Sequence, residues 1–376
     1  MIIGMGLALY PIHNAWLAKI TSIHGEAVLF LPAFGAVVWI LATLFFLRDN
    51  WKRIEWGSKT ILIPLLIIGV SMAVSGFVHY RTPTDMVSPL FMAAALFSTY
   101  LVGRILGPTL FKLLIPFVLL GTLIAIILEI VSPGNLSGGL ITNSAACAGF
   151  LIFGALINQG KHQWILCLVA LVGVLLIGTL EGLFIVAVIG LFILLRKDVN
   201  HKLLIVIGIV LAFIIIGAVI GLLTPIFRNT YNLDTLYNLI IGKYPINTTT
   251  MDLLTTGRWT IMIDAMRNFS WLGHGFTLDV NAATVHNIPL IIVDQIGIPA
   301  ALAWTFVTLY CLIKTKWKYI WVLVIAASIW DHYFWTQFMP WYWCLIGISL
   351  ASNIKSDLIL RKDKREETQN VQQQTT

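Results

Sequence analysis

Charge is what this chain has least of. Only 11% of its 376 residues are charged and 59% are hydrophobic, with a mean hydropathy of +0.90. A soluble protein carries roughly 25% charged residues, so a freely soluble globular fold is excluded. Cysteine is scarce too. Cys147, Cys167, Cys311 and Cys344 all lie in apolar runs and show no metal-ligand spacing, which implies buried thiols rather than a disulfide framework. There is no D-x-D, no H-E-x-x-H, no P-loop and no dinucleotide fingerprint, so no metal site or cofactor site is expected. The N-terminal MIIGMGLALYPIHNAW has no basic n-region and no small-residue cleavage site. It reads as a retained first helix rather than a signal peptide.

What the chain does have is apolar runs of bilayer length. Twelve spans are expected, at 2–18, 27–47, 60–79, 88–103, 109–131, 141–158, 163–178, 182–195, 203–223, 288–313, 319–333 and 340–354. The fold class is therefore an all-α polytopic membrane protein. Spans seven and eight form one apolar run, divided at Gly178-Thr179-Leu180-Glu181-Gly182 because Glu is costly at membrane depth and glycine permits a turn.

The net charge of +7 tests that division. With it, eighteen of the 24 Lys and Arg residues share one side, leaving Lys19, Arg81, Arg228, Lys243, Arg258 and Arg267 on the other. Short basic loops of this kind set topology and do not point to nucleic acid. The positive-inside rule puts both termini in the cytoplasm and residues 224–287 outside. The organisation is then spans one to nine in 1–223, an outer loop at 224–287, spans ten to twelve in 288–354, and a tail at 355–376. That tail is polar, low in complexity and expected to be disordered. No internal repeat is visible, which counts against a carrier built from inverted repeats.

The outer loop holds the polar chemistry. Thr256 is placed to cap a helix in which Trp259, Met262, Ile263, Met266 and Phe269 recur at helical spacing. Such a helix lies on the membrane surface or packs on the bundle. Arg258 falls in its first turn, where the dipole and free amides favour an anion. Arg267 comes nine residues later, about half a turn round, and Asp264 is spaced to pair with it. Leu272-Gly273-His274-Gly275 then makes a turn, and His286-Asn287 stands at the membrane boundary.

Each candidate has a chemical and a plain reading. His286 is a general base near neutral pH, or an interfacial histidine bonded to the loop. Arg258 binds phosphate, or meets lipid headgroups, and Arg228 is a weaker version of the same. His274 reads as a turn residue. Asp331-His332, in span eleven, and Glu181 are polar intrusions on the same outer side. The plain reading for these is hydrogen bonding between helices.

The segment GRWTIMIDAMRNFSWLGHGF…VHNIPLIIVDQIGIPAAL resembles the C-terminal signature of the O-antigen ligase and O-antigen polymerase superfamily of bacterial envelope enzymes. The matching positions are Arg258, Leu272-Gly273-His274-Gly275, His286-Asn287 and Gly297, with Asp331-His332-Tyr333-Phe334-Trp335-Thr336 as a later stretch of similar kind. The resemblance implies a membrane glycosyltransferase of the C-type superfamily that works without a metal. Its donor would be a glycan on undecaprenyl pyrophosphate, and its acceptor a hydroxyl on a glycan or lipid. Transfer would occur on the outer face of the bacterial cytoplasmic (inner) membrane. His286 would help deprotonate the acceptor. Arg258 would bind the pyrophosphate, with Arg228 or Arg267 assisting and Asn287, His332, Asp331 and Glu181 in support.

Two positions depart from the pattern, the milder being Ala300 in place of a second glycine after Gly297. Many members carry Ser/Thr-Arg-Gly where this chain has Thr179-Leu180-Glu181-Gly182, so Glu181 replaces an arginine that faces the donor phosphates. Ligase, polymerase and protein O-oligosaccharyltransferase remain alternatives, because these motifs do not encode the acceptor. A transporter of a lipid-linked or anionic substrate would instead carry ionisable residues through both leaflets. Here they gather at the outer end.

Overall fold

The computed structural model describes residues 40–107 apart from 55, 81 and 82, scattered positions between 191 and 223, and residues 234–275 apart from 256. It further describes 285, 287–315, 318–330, 334–335 and 339–351. The architecture is all-helical, with no strand among the described residues. Two helices are long and apolar enough to cross a membrane, Lys59–Val78 and Pro89–Leu106. Of the remaining expected spans, 288–313, 319–333 and 340–354 are wholly or largely described; the others, the division at 178–182 and the tail lie wholly or largely outside the described residues.

The first described helix, α1, covers residues 40–49. It is followed by α2 (Lys59–Val78) and α3 (Pro83–Leu106), which pack on one another. Ile61, Leu65, Ile68 and Met72 of α2 are fully buried, and their 4-3-4 spacing is one face of a helix. Ile63, Leu66, Ile67, Val70 and Phe77 occupy the other face and are exposed. An apolar face without protein cover is the ordinary surface of a helix in lipid. At 20 residues α2 is about 30 Å long, the thickness of a bilayer core.

Three short helices come next: α4 (Asp234–Ile240), α5 (Thr248–Leu254) and α6 (Arg258–Arg267). The chain then re-enters the bundle as α7 (Ile288–Ile296), α8 (Ile298–Lys314), α9 (Lys318–Trp330) and α10 (Met339–Ala351). The core of α8, α9 and α10 is built round Tyr342. Its ring stacks on Trp304 at 5.3 Å and meets Trp343 and Trp321 edge-on at 4.6 and 5.9 Å. Its hydroxyl lies 2.7 Å from that of Thr308, so the polar tip is satisfied inside an aromatic cluster. Where α3 crosses α10, a Cβ on Gly103 would strike the Cys344 carbonyl and one on Gly347 the Tyr100 carbonyl. Small residues at such crossings let two backbones touch, which is how helices associate tightly in lipid.

The single span expected at 288–313 is two helices. Gly297 separates them with φ 94° and ψ 170°, a conformation essentially restricted to glycine. The chain crosses itself there, since a Cβ on Gly297 would strike the Trp271 carbonyl. Pro289 and Pro299 sit in the first turns of α7 and α8, where a missing N–H costs nothing.

The contacts of α7 fix how it lies. Ser75, in the last turn of α2, donates its hydroxyl to the Gln295 carbonyl at 2.7 Å. Asn287, at the other end of α7, donates its side-chain amide to the Ile329 carbonyl in the last turn of α9 at 3.2 Å. Only residues 315–317 join α8 to α9, and so short a connection makes them antiparallel neighbours. The last turn of α9 therefore stands beside the first turn of α8. Both ends of α7 sit at one end of the bundle, and the helix lies across it.

Candidate functional site

The short helix α7 organises the site. Its N-cap is Asn287, whose side-chain oxygen accepts from the Leu290 N–H at 3.1 Å while the amide reaches α9. An Asn at this position satisfies one of the four orphan N–H groups of a helix start. The opposite end is closed by the glycine turn. His274 N–H donates to the Asp294 carbonyl at 2.6 Å and Gly275 N–H to the Gln295 carbonyl at 3.2 Å. Thus the orphan carbonyls of α7 are met by a loop rather than by a further helical turn.

Several side chains converge on that junction. His274 Nδ1 lies 3.0 Å from Asp294 Oδ1. Trp335 donates its indole N–H to Gln295 Oε1 at 2.7 Å. His79, just beyond α2, packs its Cβ against Gly275, and a Cβ added to that glycine would come within 2.7 Å of it. The Nε2 of His79 is buried without a hydrogen-bond partner. Asp294, Gln295, Ser75 and His79 are contributors that motif reading did not single out, and Trp335 entered only as a member of the stretch 331–336. Asp294-Gln295 did carry a signal, as the only acid–amide pair inside the apolar run 288–313.

Arg258 and Arg267 occupy different faces of α6. Ile261, Met262 and Ala265 pack against the core, and Arg258 heads that same row by its i, i+3, i+4, i+7 spacing. It is half-buried on the helix that packs on α7. Arg267 points away, with 75% of its side chain exposed, and pairs with Asp264 at 3.7 Å as the spacing suggested. An exposed pair of this kind contributes little to stability.

Three expectations about α6 need correction. Its N-cap is Gly257, and Thr256 lies outside the described residues. The N-terminal amides are not open to an anion. Trp259 N–H donates to the Thr255 hydroxyl at 3.0 Å and Thr260 N–H to Asp252 Oδ1 at 2.7 Å, while the Thr260 hydroxyl also donates to the Asp252 carboxylate. A carboxylate of the protein itself already sits at the positive end of the dipole. Moreover, the expected apolar face is divided. Met262 packs inward, Ile263 is half-buried, and Trp259, Met266 and Phe269 are exposed. With Trp271, 71% exposed, and Leu272 they form an outward apolar row.

His286, Arg228, Asp331, His332 and Glu181 lie outside the described residues. The structure does bring together chain segments next to some of them. Asn287 follows His286 directly, and its partner Ile329 precedes Asp331 by two residues. Among the described residues, no group of three or more His, Cys, Asp or Glu side chains is placed to hold a metal ion. No protein-family model matches the chain, and no curated protein or solved structure matches it either.

Proposed function

We propose that this protein is an O-antigen ligase-like glycosyltransferase of the cytoplasmic membrane, built on about twelve spans in a C-type glycosyltransferase arrangement. It moves a glycan from undecaprenyl pyrophosphate to a hydroxyl acceptor on the outer face. The observation that carries the reading is α7. Three separated pieces of the resemblance, Leu272–Gly275, Asn287 and Gly297, all bear on this one nine-residue helix. Asn287 and Gly297 flank the helix in the sequence, whereas the Leu272–Gly275 turn reaches its far end across twenty residues. Arg258 adds to this, on the inward face of the helix that packs on α7.

In this reading His286 takes the proton of the acceptor hydroxyl as its oxygen attacks the anomeric carbon. The bond from that carbon to the pyrophosphate oxygen breaks, and the electron pair leaves with undecaprenyl pyrophosphate. Attack from the face opposite the leaving group inverts the anomeric centre. Arg258 stabilises the charge that develops on the leaving group, a task a guanidinium performs by paired hydrogen bonds. The exposed apolar faces of α2 and α8 and the exposed helical positions Ile205, Ile209, Ile215, Ile216, Val219 and Leu223 support a lipid surround.

The test is a transfer assay in nanodiscs with undecaprenyl-pyrophosphate glycans, a panel of hydroxyl acceptors, and EDTA. Wild type is expected to release undecaprenyl pyrophosphate. His286→Ala and Arg258→Ala are each expected to slow release at least ~100-fold. The acceptor consumed distinguishes ligase, polymerase and protein glycosylation. Donor binding without turnover in wild type would overturn the reading.

A further inference from the structure

The proposed chemistry sits at one end of α7, and at the other end one side-chain pair joins the helix to the glycine turn. His274 Nδ1 lies 3.0 Å from Asp294 Oδ1. A carboxylate only accepts, so Nδ1 carries the proton. The same two residues are joined through their backbones, His274 N–H to the Asp294 carbonyl at 2.6 Å. Two bonds between one pair fix both the position of the turn and its rotation.

The neighbouring glycines leave no slack. A Cβ at Gly273 would strike the Gln295 backbone, and one at Gly275 would meet His79. At the far end, Asn287 joins α7 to α9 through the Ile329 carbonyl. Nine residues of helix span about 13 Å and transmit a displacement from one end to the other.

We propose that the His274–Asp294 pair is a clasp that sets the register of α7 across the bundle end, and through it the placement of Asn287 and the adjoining His286. His274 is thus a positioning residue rather than a group that touches substrate. The inference rests on reading His286 as the acid–base residue, but its first measurement does not depend on that reading. Its chemistry is simple: an N–H donor at position 274 and an oxygen acceptor at position 294.

The experiment uses the full chain in nanodiscs and two readouts. The first is amide hydrogen exchange over residues 287–293, at the end of α7 remote from the clasp. Asp294→Ala and His274→Ala are expected to raise exchange there about tenfold, while peptides from α2 and α3 stay at wild-type rates. Asp294→Asn keeps an oxygen that accepts from Nδ1–H, and is expected to remain within about twofold of wild type. The second readout is transfer. The alanine variants are expected to lower kcat ten- to a hundredfold, as misplacement of a reacting group does, with KM within about twofold and Asp294→Asn close to wild type.

Unchanged exchange at 287–293 in both alanine variants would overturn the clasp. So would an Asp294→Asn variant as impaired as Asp294→Ala, or a raised exchange that leaves kcat untouched. Wild-type protein without any transfer would sink the glycosyltransferase reading instead, and the exchange measurement would then judge the clasp alone.

Discussion

At two places among the described residues backbone lies directly against backbone, and glycine serves a different purpose in each. Where α3 crosses α10, Gly103 and Gly347 supply room, because a Cβ on either would strike a carbonyl of the other helix. At the docked turn, Gly297 supplies room against Trp271 and a backbone conformation as well, with φ 94°. Gly257, before α6, separates the two requirements. Its φ is 82°, but an added Cβ would meet nothing within 4 Å. The crossing can yield by moving two helices apart, a graded loss of packing. The turn has no such freedom, because space and dihedral are demanded at one residue. Tight packing in the bundle is therefore a matter of degree, whereas docking of the turn is close to all-or-none.

That contrast is open to measurement by thermal unfolding in detergent, paired with the transfer assay. Gly297→Ala should have the largest effect. Strain of about 1–3 kcal/mol in a region proper to glycine adds to a backbone clash of about 1–3 kcal/mol. The chain should fold with the turn undocked and lose transfer; a Gly297→Ala protein with wild-type melting and turnover would erase the distinction between the two contacts. Gly347→Ala should come next, at about 1–3 kcal/mol from overpacking alone. Transfer per folded molecule should persist, and its loss would mean that the crossing is coupled to the site.

Gly257→Ala isolates the dihedral cost and should destabilise by about 1–2 kcal/mol. A loss well above about 2 kcal/mol, or none at all, would show that Gly257 is not there for its dihedral alone. Ser75→Ala should have the smallest effect, about 1 kcal/mol. The Gln295 carbonyl keeps its bond from Gly275 N–H after the hydroxyl is removed. A drop of several kcal/mol would mean that α2, not the turn, holds the end of α7.

Sequence reading located some of this closely. The runs 60–79, 319–333 and 340–354 correspond to Lys59–Val78, Lys318–Trp330 and Met339–Ala351 within a few residues. Apolar length is a local property, so it survives without knowledge of neighbours. The fourth run, 88–103, lies within Pro83–Leu106, and the polar Thr84 and Asp85 hid its start. The break at Gly297 was present as a doubled Ile-Pro, at 288–289 and 298–299, with Gly just before the second. Unbroken hydrophobicity outweighed that signal.

The face of α6 was misjudged for a physical reason. Period alone gives a stripe, but Trp259 and Phe269 are stable outside when the outside includes a membrane interface. Nothing local could pair Ser75 with Gln295, which lie 220 residues apart, or bring His79 against Gly275. Those pairings follow from how α7 lies across the bundle, and no periodicity encodes that.

Ending one helix at Gly297 and starting another also shortens what is left to span a bilayer. The helix α8 has 17 residues, against 20 and 24 in α2 and α3. That is about 25 Å on one flank and about 30 and 36 Å on the other, beside a hydrocarbon core of about 30 Å. Lipid answers such hydrophobic mismatch by thinning locally. A membrane surrounding this protein would be pinched on the α8 flank, where Leu302, Phe306, Leu309 and Ile313 face outward. Headgroups of the nearer leaflet would be drawn down toward the docked turn, bringing any lipid-borne phosphate to the protein before the chain has to reach for it.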